Sequence, residues 1–194
     1  MSNIFITSDT HFGHDREFIW GPRGFTNHVD HDNKIIENWN SVVQPDDIVY
    51  HLGDVILGDN EYGISCLKQL RGNIKILAGN HDTKTRITLY NQLDNVEVIG
   101  LADLIKYRKY NFYLSHYPTL TANLDEGAPL KAKVINLFAH THQQSNFYMD
   151  NPAMYHVGVD SHNCYPVLLD TIIEDINKQA KECLKNVIKG EYSK

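Results

Sequence analysis

The chain has 194 residues, 42% of them hydrophobic and 22% charged, with a formal net charge of −6. That composition is ordinary for a globular protein and the length suffices for one substantial core. The acidity argues against a surface built for tight nonspecific binding of duplex nucleic acid, which needs a basic face, but not against a small phosphorylated substrate, because bound metal cations reverse the local field. Along the chain, Asn3 to Ser8 reads as a buried strand with Ile4, Phe5 and Ile6 as its apolar run, and it opens directly into Asp9. An irregular segment rich in Gly, Pro and aromatics follows from His14 to His28. Asp30 or Asp32 is expected to cap a helix carrying Ile35, Ile36 and Trp39 on one face. A turn at Pro45-Asp46-Asp47 leads to a second strand, Ile48 to Leu52, then a helix from Tyr62 to Leu70 stopped near Gly72. A third strand is expected at Ile74 to Ala78, a helix around Lys84 to Leu93, and a short strand at Val96 to Ile99. The second half is strand-rich. Leu104 to Tyr107 and Phe112 to Ser115 form a predicted hairpin turning at Lys109 to Asn111. Further strands are predicted at Val134 to Ala139, Phe147 to Met149 and Tyr155 to Val159. Asp170 to Ile188 closes the chain as a helix, with Ile172, Ile173, Ile176, Ala180, Leu184 and Ile188 at helical spacing. Strand and helix alternating first, strands and a closing helix afterwards, predicts one α/β (α+β) domain over residues 1–194, with two packed sheets and helices outside.

Cys66, Cys164 and Cys183 are widely spaced and odd in number, which draws neither a disulfide framework nor a zinc-knuckle pattern. Three buried thiols in a reducing cytoplasm are expected. The opening MSNIFITSD has no basic start and no long apolar stretch, so it does not read as a signal peptide, and no apolar run reaches the length of a bilayer span.

The chemistry concentrates in five islands: Asp9-Thr10-His11, Gly53-Asp54, Gly79-Asn80-His81-Asp82, His116 and His140-Thr141-His142. Imidazole nitrogen and carboxylate or amide oxygen are ligands for zinc, manganese and iron. Four of the five islands follow apolar, β-branched runs, so the ligands are expected at strand ends. In extended backbone residues i and i+2 point the same way, so Asp9 and His11 can grip one ion together, and the same argument pairs His140 with His142. Gly53 and Gly79 let the backbone turn sharply beside Asp54 and Asn80. Asp54, with two oxygens, could bridge two ions. Two ions about 3.5–4 Å apart activate a bridging water and clamp a phosphoryl group for in-line displacement.

The ordered set resembles the calcineurin-like metallophosphoesterase superfamily. The longer pieces SDTHFGH, IIENWN, VYHLGD and GNHD, with the late segment VGVDSHNCYPVLLDTI, are similar to small bacterial and bacteriophage-type phosphoesterases. The resemblance implies a four-layer αββα sandwich of two mixed β-sheets flanked by helices. It also implies a dinuclear site: Asp9, His11 and His142 on one ion, Asn80, His116 and His140 on the other, and Asp54 bridging. His81 is similar to the family's histidine that hydrogen-bonds the phosphate and protonates the leaving oxygen, with Asp82 orienting its imidazole. Ala139 stands where the family usually has Gly before the final His-X-His; alanine accepts extended backbone, so the site is expected to keep its form. The run Gly53-Asp54-Val55-Ile56-Leu57-Gly58-Asp59 lacks the Arg-Gly pair that the protein phosphatases and diadenosine tetraphosphatases carry there.

The expectation is therefore a phosphoric ester hydrolase, a phosphodiesterase rather than a monoesterase. A hydroxide held between two divalent ions (manganese, or iron, zinc or nickel) would attack a phosphodiester or a small nucleotide-like substrate. The rivals are an idle metal-binding scaffold subunit and a nuclease. His14 is a candidate for reaching a substrate phosphate, and Arg23 for pairing with one bidentately. His28 and His31 read as structural or exposed, His51 as buried in the sheet or backing the metals, and Asp160 and Tyr165 as rim positions.

Overall fold

β-Branched and aromatic residues build the two sheets of the molecule, a computed structural model that describes residues 2–121 and 128–189, with side chains to 186. The Ile188 side chain of the predicted closing helix thus lies outside the described side chains, and residues 122–127 outside the described residues. In the first sheet β1 (Ile4–Thr7) pairs in parallel with β2 (Ile48–His51), β2 with β3 (Asn73–Leu77), and β3 with β4 (Val96–Gly100). The two-residue β9 (Val167–Leu168) runs antiparallel on the other edge of β1. In the second sheet β5 (Ala102–Tyr107) and β6 (Tyr110–Ser115) form a hairpin, while β7 (Val134–Phe138) and β8 (Met154–His156) add in parallel. Both sheets are therefore mixed, and helices flank them, as expected.

The two-residue period of a strand sorts the core into two layers. Phe5, Val49, Ile74 and Ile76 face Ile35 and Trp39 of α2 (His28–Val42), Leu67 of α3 (Asn60–Leu67) and Tyr90 of α4 (Lys84–Tyr90). Ile6, Tyr50, Leu52 and Leu77 point the other way, onto Phe112, Leu114, Ile135, Leu137 and Tyr155 of the second sheet. α5 (Leu169–Lys189) adds Ile172 and Ile176 to that inner layer, whereas Leu184 is 61% exposed, so among the described side chains its apolar stripe is buried only near the helix start. No helix among the described residues is long and apolar enough to cross a membrane.

Several local expectations need correction. A short helix, α1 (Glu17–Trp20), interrupts the irregular segment that follows β1. α2 is capped by Asn27, not by Asp30 or Asp32: Asn27 Oδ1 accepts the Asp30 N–H at 2.9 Å, and Asp30 Oδ2 accepts from Asn27 Nδ2 at 2.7 Å. The hairpin turns at Arg108-Lys109, with φ of 45° and 74°, a two-residue turn whose twist matches the flanking strands. Phe147 makes only an isolated bridge to Tyr155, and Tyr148–Asp150 is a 3-10 turn in place of the expected strand. The stretch ending at Val159 is β8 followed by another 3-10 turn, Val159–Ser161.

Candidate metal centre

All five islands lie just past the ends of strands β1, β2, β3, β6 and β7, on one side of the paired sheets. The loops after β1 and β2 stay bonded as they leave the sheet. Asp9 N–H donates to Gly53 O and His11 N–H to Asp54 O, both at 3.1 Å, and Phe12 N–H to Val55 O at 2.9 Å. The side chains do not converge through extended backbone, however. Asp9, His11, Asp54, His140 and His142 all have φ between 48° and 67°, the left-handed region that costs a non-glycine residue about 1–2 kcal/mol. Strain of this kind concentrates where a site needs it. Ala139 is not among the residues with positive φ, so alanine costs nothing there. Glycine is required at two points of close approach. A Cβ on Gly53 would strike the backbone nitrogen of Gly79, and a Cβ on Gly79 would strike the Asp54 carboxylate and lie 2.9 Å from His116 Cε1.

Two clusters result. Asp9, His11 and His142 offer ligand atoms within 4.8 Å of one another, and so do Asp54, His116 and His140. The His140-Thr141-His142 pair is thus split between clusters, not held on one ion as the i, i+2 argument expected. In the first cluster His11 Nε2 and His142 Nε2 lie 3.2 Å apart, and Asp9 Oδ1 is buried with no hydrogen-bond partner among the described residues. In the second, His116 Nε2 lies 3.0 Å from Asn80 Oδ1 and 3.2 Å from His140 Nδ1. Asp54 Oδ2 sits between them, 3.8 Å from His11 Nε2 and 3.4 Å from His116 Nε2. Facing lone pairs, an orphaned buried carboxylate oxygen and a nitrogen-oxygen donor set fit divalent cations in both positions.

The electrostatics depend on burial first. Burial raises the Asp9 carboxyl to about 6 although the charges of His142 and His116 pull the other way. Burial would raise Asp54 too, but the hydrogen bond and charge of His116, with the His81 N–H and His11, outweigh it and lower the pKa to about 2. Burial drives His11 well below its ordinary value. His116 donates its Nδ1–H to Leu52 O at 2.8 Å, which leaves Nε2 free to ligate. His51 is wholly buried and neutral, its pKa lowered to about 3 by desolvation. It accepts Gly53 N–H at Nδ1 (3.2 Å) and donates from Nε2 to Thr10 Oγ1 (3.0 Å), which donates to Val55 O (2.9 Å). His51 therefore fastens both loops behind the clusters.

The remaining expected site residues fall in different places. His81 is 40% exposed beside the clusters, with Nε2 3.9 Å from Asp54 Oδ2 and its ring edge-on to His11. Asp82 does not orient it. Its carboxylate is filled by the N–H groups of Asp54 (2.7 Å), Gly79 (2.9 Å) and Val55 (3.2 Å) and by the Tyr90 hydroxyl (2.8 Å), so it pins two ligand loops together. His14 is buried, accepts Arg16 N–H at Nδ1 and packs edge-on to His11 at 6.2 Å. Arg23 is not free to meet a phosphate: its fork is closed on Asp160 through Nε and Nη2, each at 2.9 Å. Asp160 is buried under that fork, not at a rim. Burial would raise its carboxyl, but the hydrogen bond from His142 and the Arg23 charge hold it well below the usual carboxylate range. Arg86 went unforeseen. It donates to His81 O (2.7 Å), Gly58 O (3.1 Å) and Asn60 Oδ1 (2.9 Å), steadying the loop that carries Asn80 and His81. No spacing in the sequence joins it to those partners.

Residues 2–159 match the family model described as the calcineurin-like phosphoesterase superfamily domain, and the chain belongs to that family. It is 33% identical over 187 residues to the uncharacterised protein MJ1445 of Methanocaldococcus jannaschii, covering 92% of this chain and 93% of that one. It is 29% identical over 203 residues to the gene 66 protein of Mycobacterium phage D29, covering 91% and 97%. Its fold is similar to the crystal structure of the protein of unknown function AQ665 from Aquifex aeolicus, with a TM-score of 0.63 and 23% identity over 90% of this chain and 99% of that one.

Proposed function

We propose that the chain is a metal-dependent phosphodiesterase, acting as one domain in the cytoplasm on a phosphodiester or small nucleotide-like phosphate. One observation carries this reading: two clusters of nitrogen and oxygen donors face each other across a single carboxylate oxygen, Asp54 Oδ2, 3.8 Å from one cluster's His11 and 3.4 Å from the other's His116. Asp9, His11 and His142 are assigned to one divalent ion, Asn80, His116 and His140 to the second, and Asp54 to both. Manganese is favoured, with iron, zinc or nickel able to use the same donors. When bound, such a pair supplies Lewis acidity toward phosphoryl oxygens and acidifies a water. His81, partly exposed and on no ligand duty, hydrogen-bonds a phosphoryl oxygen and delivers a proton to the leaving oxygen. His14, with Nδ1 already occupied, turns Nε2 to a phosphate oxygen. An idle scaffold would not need His81 at that position.

The test is hydrolysis of bis-p-nitrophenyl phosphate against p-nitrophenyl phosphate with added manganese. Faster cleavage of the diester, abolished by excess chelator and restored by manganese, is expected. Cleavage of neither ester across manganese, iron, zinc and nickel would sink the reading, and full activity in chelator would remove the metals from it.

A further inference from the structure

The Arg23 guanidinium has five N–H donors, and four of them find acceptors. Nε donates to Asp160 Oδ1 and Nη2 to Asp160 Oδ2, both at 2.9 Å. Nη2 also donates to Asp9 O at 3.0 Å, and Nη1 to His31 Nε2 at 2.8 Å. His31 then donates from Nδ1 to Asp32 Oδ1 at 2.7 Å, and Asp32 Oδ2 accepts Gly13 N–H at 2.8 Å. On its far side Asp160 Oδ2 lies 3.0 Å from His142 Nδ1. That nitrogen is also 3.3 Å from Arg23 Nη2, but both Nη2 hydrogens already have closer acceptors. His142 Nδ1 therefore carries its own hydrogen and gives it to Asp160. In the neutral ring Nε2 then keeps a lone pair, 3.2 Å from His11 Nε2.

We propose that Arg23 and Asp160 are positioning residues of the first cluster: as a pair they set the tautomer and direction of His142 and hold the Asp9 turn by its carbonyl oxygen. The inference rests on the metal-centre reading above. The Arg23 and Asp160 side chains are 1% and 4% exposed, so theirs is not a solvated surface pair. Both residues they steady, Asp9 and His142, sit in left-handed backbone that needs holding. Among the described residues no charged pair orients an imidazole of the second cluster, since His116 is oriented by a backbone carbonyl and His140 is exposed. The consequence is one-sided, with one ion position depending on the pair and the other not.

Two measurements on the full chain test this. Co2+ is titrated by calorimetry and visible absorption into the unsubstituted protein, Arg23→Lys and the double variant Arg23→Met/Asp160→Leu, which removes both charges and so leaves neither stranded in the interior. Imidazole 15N–1H correlations of the metal-free protein report which His142 nitrogen holds hydrogen. Two equivalents of Co2+ are expected to bind the unsubstituted protein. In both variants one equivalent should weaken about 10–100-fold while the other is unchanged, and His142 should be protonated at Nδ1 in the unsubstituted chain. A folded double variant that binds both equivalents normally, or a hydrogen on Nε2 with none on Nδ1 in the unsubstituted protein, overturns the proposal. No Co2+ binding to the unsubstituted protein would sink the metal centre instead, and the imidazole spectrum would still judge the tautomer.

Discussion

Replacing Asp82 by alanine separates two roles that one carboxylate could have. Its oxygens accept from the N–H groups of Asp54, Val55 and Gly79 and from the Tyr90 hydroxyl. Gly79 is partly exposed and can turn to water, but Asp54, Val55 and Tyr90 are buried. Leaving three buried donors unsatisfied costs about 1–3 kcal/mol each, or about 3–9 kcal/mol together. For a chain of this size about 2–4 °C of melting temperature goes with each kcal/mol, so the variant should melt at least about 6 °C below the unsubstituted protein. Thermal unfolding followed by circular dichroism in excess chelator removes any contribution from bound metal. Asp82→Asn, which keeps one acceptor oxygen, should fall between the two. If Asp82 served the His81 imidazole instead, both variants would keep their melting temperature and lose only turnover. An alanine variant melting within about 2 °C of the unsubstituted protein would refute the pinning role.

His81→Asn should depress turnover strongly while metal content, measured by elemental analysis, stays at its original value; loss of both metals would contradict its assignment. Gly79→Ala drives a Cβ into the Asp54 carboxylate and within 2.8 Å of Asp54 N, so metal content and activity should both collapse, and a variant with normal metal content would show that the loops have more room than the geometry gives. His51 has a folded pKa of about 3 against an ordinary 6.5. Between those values the unfolded chain binds a proton that the folded one refuses. Stability therefore falls as pH drops from about 6.5 to 3, at up to about 1.4 kcal/mol per pH unit from this residue. His51→Gln should flatten that limb in urea unfolding of the metal-free protein by the same amount. Asp9, raised to about 6, acts in the opposite sense, but equally in both proteins, so it cancels in the difference. Parallel pH profiles for the two would contradict the assignment.

Much of this site was legible before folding, because four of the five islands follow apolar, β-branched runs and strands end where such runs end. Ile4 to Ile6 delivers Asp9, Val134 to Phe138 delivers His140, and the strands that precede the five islands hold to within a residue or two. The means of convergence was not legible. Asp and His accept left-handed backbone more readily than most residues, but no spacing in the sequence says that these five candidate positions adopt it. Arg23 and Asp160 are 137 residues apart, so no local pattern could show their pairing. Asp82 was misread for the opposite reason. Its neighbour His81 offered a partner close in sequence, while its actual partners, Asp54 and Val55, are 28 and 27 residues away. The Asn27 cap lies in the stretch Asn27-His28-Val29-Asp30, beside acidic residues that cap helices as well, and β9 is too short for any period to register.

Anomalous diffraction at the manganese edge, from crystals grown with excess manganese, locates the ions themselves. Two peaks are expected, one among Asp9, His11 and His142 and one among Asn80, His116 and His140, with the Asp54 carboxylate between them at the roughly 3.5–4 Å separation of dinuclear sites. An empty map between these side chains, or a single peak elsewhere on the molecule, would contradict the dinuclear site.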